Sequence, residues 1–235
     1  MTAANPLVSV VVPVFDGAAF LGEALASVAA QTYAPVETIV VDDGSRDASA
    51  EIAARAPRVR LLRQANAGVA AARNRGVREA SGEVLAFLDQ DDRFTPDKLA
   101  RQLAALLADP GLGFCLAHQR LFLDGVTSPP SWVRPQWLAA PIAGILPGTL
   151  VVRRSAFDRI GPFLESEPVS SDSDWFMRAR DLGVRSRLLD DVLLERRIHA
   201  ANQSANVRAA HLQLLRSVRR SLGRRLDGAA PRGAA

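Results

Sequence analysis

The chain has little of several things that small folds lean on. Its 235 residues include one cysteine, Cys115, one lysine, Lys98, one tyrosine and two methionines. A lone cysteine excludes an internal disulfide framework and a cysteine-rich zinc site, and it suits a reducing compartment. No G-x-G-x-x-G is present, since Gly111-Leu112-Gly113 lacks the third glycine. Lys98 has no glycine-rich loop before it, and H-E-x-x-H, G-x-S-x-G and C-x-x-C are missing. Rossmann-type dinucleotide binding, P-loop phosphoryl transfer and α/β-hydrolase chemistry are thereby set aside. Long apolar runs are also lacking. The uncharged stretch Trp137–Val152 is broken by Pro141, Gly144, Pro147 and Gly148, whereas a membrane-spanning helix needs about 20 apolar residues. Ahead of the short apolar segment Leu7–Val14 there is no charged n-region, so a cytoplasmic location is expected.

The remaining composition is that of a folded protein, 48 % hydrophobic and 23 % charged, which excludes disorder or a coiled coil for the whole chain. A chain of this length buries about 70 % of its unfolded surface, enough for a self-sufficient core. Charge is unevenly spread. Val207–Ala235 holds seven arginines against one acid, Asp227, while the preceding 206 residues carry 22 basic and 24 acidic side chains. The net +4 therefore belongs to a basic tail, and the body is not built to grip nucleic acid.

A β-branched run at Leu7–Val12, stopping at Pro13, reads as a buried strand. An amphipathic helix follows at Ala18–Thr32, with Phe20, Leu21, Ala24, Leu25 and Val28 on one face. The pattern repeats: strands at Val36–Val41, Val59–Arg63 and Val84–Leu88, and helices near Asp47–Ala56 and Val69–Ala80. Thr95-Pro96-Asp97 opens another helix with a cap, a proline in the first turn and an acid in the dipole's positive field. This β-α rhythm predicts an α/β fold, a mostly parallel sheet with helices on both faces. After Pro110 the pattern becomes mixed, with a strand at Leu150–Arg153, a helix at Asp174–Leu182 and a strand at Val192–Ile198. The tail, Val207–Leu226, places Leu215, Val218, Leu222 and Leu226 on one stripe and Arg216, Arg220 and Arg224 on another face.

Open parallel sheets bind ligands beyond the carboxyl ends of their strands, and two acidic clusters fall there. Asp42-Asp43 follows the second strand and Asp89-Gln90-Asp91-Asp92 the fourth. Alternate carboxylates at a strand end can hold a hard divalent cation whose other positions stay open to water and phosphate oxygens. Such a pair is also what a solvated turn or helix cap looks like, and the second cluster is what raises the functional reading.

Four ordered segments carry a resemblance. They are Val10-Val11-Val12-Pro13-Val14-Phe15-Asp16-Gly17, Val40-Val41-Asp42-Asp43-Gly44-Ser45-Arg46-Asp47, Asn66-Ala67-Gly68-Val69-Ala70-Ala71-Ala72-Arg73-Asn74 and Phe87-Leu88-Asp89-Gln90-Asp91-Asp92. Together they resemble a family 2 glycosyltransferase of the GT-A fold. The likeness runs more thinly through Pro147-Gly148, Gly161-Pro162-Phe163, Asp172-Ser173-Asp174-Trp175 and Arg197-Ile198-His199. It implies one domain with a Rossmann-like central sheet in two halves: 1–112 for a nucleotide-sugar and 113–206, mixed in structure, for the acceptor, with the tail at 207–235. It implies an inverting, metal-assisted transfer from a nucleotide-diphosphate donor, UDP-sugar foremost, to the hydroxyl of a saccharide, lipid-linked or small-molecule acceptor.

The resemblance also implies roles. Pro13, Val14, Asp42 and Asp43 border the nucleoside, and Arg73 reaches toward the diphosphate. Asp89 meets the ribose or the metal, with Gln90 beside it, and Asp91 meets the metal, Mg2+ or Mn2+. Asp172 matches the general base, and His199 a late histidine near the metal. Trp175 is the tryptophan best set to stack on a sugar. Where the family often has Tyr-Asn this chain has Phe15-Asp16, and Ser171 replaces the acid before the base. Asp172 could instead cap the helix after it, and if it points away from the cleft Asp174 is the substitute base. Those departures leave a non-catalytic nucleotide-sugar or carbohydrate-binding module as the alternative. A nucleotidyltransferase is weaker, for want of its Gly/Arg/Lys-rich loop. The tail's arginines are either a solvated helix face or a means of peripheral contact with the inner membrane surface.

Overall fold

A computed structural model of the chain describes residues 5–167, 170–200, 202 and 207–229. The last six residues of the tail lie outside these. The donor-side half follows the expected rhythm: β1 (Val8–Val14), α1 (Ala18–Ala29), β2 (Val36–Asp42), α2 (Ser49–Arg55), β3 (Val59–Arg63), α3 (Val69–Glu79), β4 (Val84–Phe87), β5 (Arg93–Phe94) and α4 (Lys98–Ala108). The second half contains β6 (Phe114–Leu123), α5 (Gln136–Ala139), β7 (Ile142–Ala143), a 3-10 turn (Pro147–Thr149), β8 (Val151–Arg153), α6 (Arg154–Ile160), α7 (Ser171–Asp181), β9 (Ser186–Ile198) and α8 (Val207–Ala229).

Among the described residues one sheet runs β3-β2-β1-β4-β8-β6-β9-β5, with β7 pairing on β6. Its first four strands are mutually parallel. β8 then runs antiparallel to β4 and β6, β9 returns parallel to β6, and β5 closes the far edge antiparallel to β9. All seven residues of β1 are buried, as expected of a strand covered on both faces. Successive side chains alternate between faces. Val10, Val12 and Val14 join Leu21, Leu25, Leu99 and Leu103 in one core layer, and Val11 joins Ala70, Phe87, Phe157 and Trp175 in the other. The parallel strands therefore deliver their carboxyl ends to one rim, where Val14, Asp42 and the segment after Phe87 meet.

The structure corrects several expectations. β1 does not stop at Pro13 but pairs through it, with Pro13 opposite Val41 and Val14 opposite Asp42. The missing N–H is tolerated because the β1–β4 ladder has ended at Val11–Phe87, so no partner waits on that side. β6 went unread because His118, Gln119 and Arg120 break its apolar pattern, and its pairing with β9 shifts register at the same place. β9 starts six residues earlier than Val192, since its first half is polar and largely exposed. The helix expected at Asp174 begins at Ser171, which puts Asp172 inside its first turn rather than at its cap. The tail arginines are not a free solvated face: Arg220 and Arg224 pair with Asp174 and Asp181 of α7.

Candidate active site

The rim is built from the loops after β1, β2 and β4, roofed by the start of α7 and the end of β9. The loop after β2 is held by its own acids. Asp42, fully buried, accepts the Ser45 N–H at 2.9 Å on one oxygen and Arg63 Nε at 3.1 Å on the other. Asp43, 3 % exposed, accepts Gln64 Nε2 (2.7 Å) and the Ala67 N–H (2.9 Å) on Oδ1 and the Gly68 N–H (2.8 Å) on Oδ2. Its own N–H donates to the Val14 carbonyl at 2.8 Å. This acid pair therefore shapes the walls of the site, fixing the loop that enters α3. Gly68 lies there at φ +92°, a left-handed geometry that favours glycine.

The loop after β4 is tied back to β1. Gln90 Oε1 accepts the Phe15 N–H at 2.8 Å, and Gln90 Nε2 donates to the Phe15 carbonyl at 3.2 Å. A Cβ at Gly17 would collide with that amide, so the glycine is what lets Gln90 lie across the turn. Expected at the substrate, Gln90 spends its polar atoms as a tether. Asp89 and Asp91 point to different partners. Asp89 Oδ1 pairs with Arg73 Nη2 at 2.5 Å. Asp91 Oδ2 lies 3.0 Å from His199 Nε2 and accepts Asn202 Nδ2 at 3.1 Å. His199 also packs its ring on Phe20, with centroids 4.5 Å apart. No cluster of three metal-ligating side chains exists among the described residues. Of the expected set of Asp89, Asp91 and His199, Asp91 and His199 lie against each other, whereas Asp89 pairs with Arg73.

Arg73, one turn into α3, is 6 % exposed, with Phe163 beneath its guanidinium at 5.7 Å. Next to it in sequence, Asn74 donates to the Phe163 carbonyl (2.8 Å) and accepts its N–H (2.9 Å), which anchors the segment leading to α7. Asp172 comes in on that segment. Burial pushes its carboxyl above the ordinary aspartate range; the Arg73 charge and the Ser173 N–H oppose the shift, and the Asp89 charge adds to it. The Arg73 and Asp89 charges thus both reach Asp172, while Asp91, two residues along the loop from Asp89, pairs with His199.

Two expected residues lie elsewhere. Trp175 is fully buried, stacked on Phe157 at 5.7 Å with its Nε1–H donating to the Gly161 carbonyl at 3.0 Å, so it offers no face to a sugar. Asp174, the substitute base, is 2 % exposed and paired with Arg178 and Arg220. Sequence reasoning missed Asp92, Arg197 and Asn202. Asp92 Oδ1 accepts the Arg197 N–H at 2.9 Å, and burial beside Asp91 and Asp89 raises its carboxyl well above the ordinary range. Arg197 Nε donates to the Asp91 carbonyl at 2.9 Å and Nη2 to Glu23 at 2.7 Å, and its guanidinium lies between the Phe20 and Phe122 rings. It clamps the end of β9, and hence His199, onto the acidic loop. The only signal for it in the sequence was the quoted Arg197-Ile198-His199 segment.

A half-parallel sheet with acids and an arginine at its rim, continued into a mixed half, is the GT-A architecture. It is similar to solved glycosyltransferases. TarS of S. aureus, residues 1–349 with UDP-GlcNAc, superposes with a TM-score of 0.73 at 20 % identity, over 92 % of this chain and 66 % of that one. A mannosyltransferase of Pyrobaculum calidifontis with GDP-Man and Mn2+ gives 0.72 at 21 % identity, over 93 % and 64 %. In sequence, an uncharacterised glycosyltransferase of Rickettsia prowazekii is 32 % identical over 89 % of this chain and 69 % of its own length. One from Rickettsia felis is 28 % identical over 86 % of this chain but only 36 % of its own. The profile of glycosyl transferase family 2 matches residues 9–161, and the chain belongs to that family.

Proposed function

We propose that the protein is an inverting glycosyltransferase moving a sugar from a nucleotide-diphosphate donor, UDP-sugar foremost, to an acceptor hydroxyl, with Asp172 as general base. Residues 1–112 hold the donor and 113–206 the acceptor, which is a saccharide, a lipid-linked molecule or another small molecule. The observation that carries the reading is the placement of Asp172. Burial holds this carboxyl above the ordinary aspartate range within electrostatic reach of Arg73 and Asp89, though it is separated in sequence by more than a hundred residues from the loop after β2. UDP is supported by the family resemblance and by neighbours solved with UDP and UDP-GlcNAc; one neighbour carries GDP-Man instead.

A divalent cation fits the residues present. Asp91 and His199 put a carboxylate oxygen and an imidazole nitrogen 3.0 Å apart, with side chains 21 % and 12 % exposed. Two protein donors with the rest left to phosphates and water is how Mg2+ or Mn2+ is held at such sites. When bound, the cation would screen the charge on the departing diphosphate. Arg73 adds a fixed positive charge on the same side. The acceptor hydroxyl is the poor partner, and Asp172 takes its proton as the bond to the anomeric carbon forms on the face opposite the leaving group. A single displacement of that kind inverts the centre. Holding both substrates in line supplies much of the remaining rate.

Asp172→Asn tests the reading. Transfer is expected to fall by about 10²–10⁴-fold while calorimetry with UDP and Mn2+ shows donor-nucleotide binding retained. Full transfer by this variant rejects Asp172 as the base. We also propose that the C-terminal helix makes peripheral contact with a membrane, independently of the transfer chemistry.

A further inference from the structure

Helix α8 is amphipathic, and it docks by its polar side. Ser217 and Ser221, 0 % and 3 % exposed, face the body of the protein. Around them, Arg220 binds Glu167 (3.1 Å) and Asp174 (3.2 Å), and Arg224 and Arg225 bind Asp181. Ser221 Oγ donates to Asp181 at 2.9 Å, and Gln213 Oε1 accepts the Ser170 N–H at 3.1 Å. The small serines allow close approach, and the arginines are consumed by the acids of α7 and the segment before it. The opposite side is left facing water: Leu212 54 % exposed, Leu215 65 %, Val218 39 %, Leu222 55 % and Leu226 73 %. A helix normally buries such a stripe, and contiguous exposed apolar surface marks an interaction site.

We propose that this stripe is a membrane-docking face, and that α8 lies flat on an anionic lipid surface. The helix is about 35 Å long at 1.5 Å per residue, and no described helix is long and apolar enough to cross a bilayer. Charge selects the occupant. Arg219 stands exposed beside the stripe, flanked by the exposed Arg216 and Arg225, whose partners Glu167 and Asp181 are shared with Arg220 and Arg224, so positive charge is in excess along this helix. A second copy of the chain would bring two basic rims together, whereas anionic headgroups complement one. The leucines provide the main hold, because most arginines here are paired inward. α8 runs alongside α7 in the same direction, Gln213 beside Ser170 and Arg224 beside Asp181. The stripe lies on the side of α8 turned away from the acids of α7 that hold it. Docking holds for any acceptor, so its failure leaves the transfer reading untouched.

Flotation of the full chain with phosphatidylcholine vesicles, with and without phosphatidylglycerol, tests the proposal. The protein is expected to float with the anionic vesicles, and Leu215→Glu/Leu222→Glu to bind at least about tenfold more weakly. The variant should keep its melting temperature and its UDP–Mn2+ binding, since both leucines are exposed. No flotation of the natural chain, or equal flotation of the variant, overturns the proposal; equal binding to neutral vesicles overturns its dependence on charge. Light scattering that shows a dimer, lost in the variant, would assign the stripe to self-association instead.

Discussion

Two acid pairs end the strands on either side of β1, and in sequence they look alike. In the fold they differ in what holds them. Asp42 and Asp43 are buried, and Asp43 takes two backbone N–H groups and a neighbouring amide. Asp89 and Asp91 are 32 % and 21 % exposed in their side chains, and their partners are other side chains: Arg73 for one, His199 and Asn202 for the other. A carboxylate that takes backbone N–H groups is a brace, because releasing it leaves buried donors without partners. A carboxylate held by other side chains can exchange one of them for a ligand without stranding a backbone donor. The same contrast recurs in α7. Asp172 lies on the rim, whereas Asp174, about 200° round the helix, is locked between Arg178 and Arg220.

The contrast can be broken at each acid. Asp43→Ala orphans the donors of the loop before α3 and should cost about 2–4 kcal/mol, read as a lowered denaturant midpoint; an unchanged midpoint would remove it from the braces. Asp174→Asn should lower stability by about 1–2 kcal/mol once solvent screening of its half-exposed arginine is allowed for. Its rate of transfer should match the natural chain, and a collapse in rate would make Asp174 the base after all. Asp91→Asn should leave stability nearly unaltered and weaken Mn2+-dependent nucleotide binding by about tenfold or more. Calorimetry showing the same affinity with and without the change would take the cation away from Asp91.

The finest test is a pH profile. The folded Asp172 carboxyl holds its proton above the usual 3.8. The native state thus binds more protons than the unfolded chain between that value and the raised one, and this group's contribution to stability falls as pH rises through the interval. A base must be ionised, so transfer should switch on across the same interval, with an acid limb above the ordinary aspartate range. Asp89→Asn removes a negative neighbour and frees Arg73, and should move that limb down. A limb that stays in place would uncouple the two carboxyls.

Much of the donor-side half was legible because its strands are short β-branched runs buried on both faces, bounded by turn residues. β6 and the first half of β9 were not, since a strand whose polar residues find partners across a bulge has no clean period of two. Trp175 looked like a site residue through its closeness to Asp172 in sequence. α7 descends from the rim into the core, so the residue one turn on is already enclosed by Phe114, Phe157 and Phe163. Likewise the tail's stripe and arginines were visible, but which face would dock was not. That was decided by Glu167, Asp174 and Asp181, acids that belong to another part of the chain.

By itself the sequence determined the alternation of strands and helices, and with it the delivery of acids to the carboxyl ends of β2 and β4. Those are local matters of propensity and period. Only the tertiary structure decided that Asp43 is saturated by the loop into α3, that Arg73 claims Asp89, and that Asp91 is left with His199 and Asn202. The reason is that a carboxylate's role depends on which donors reach it, and here those donors come from 16 to 111 residues away along the chain.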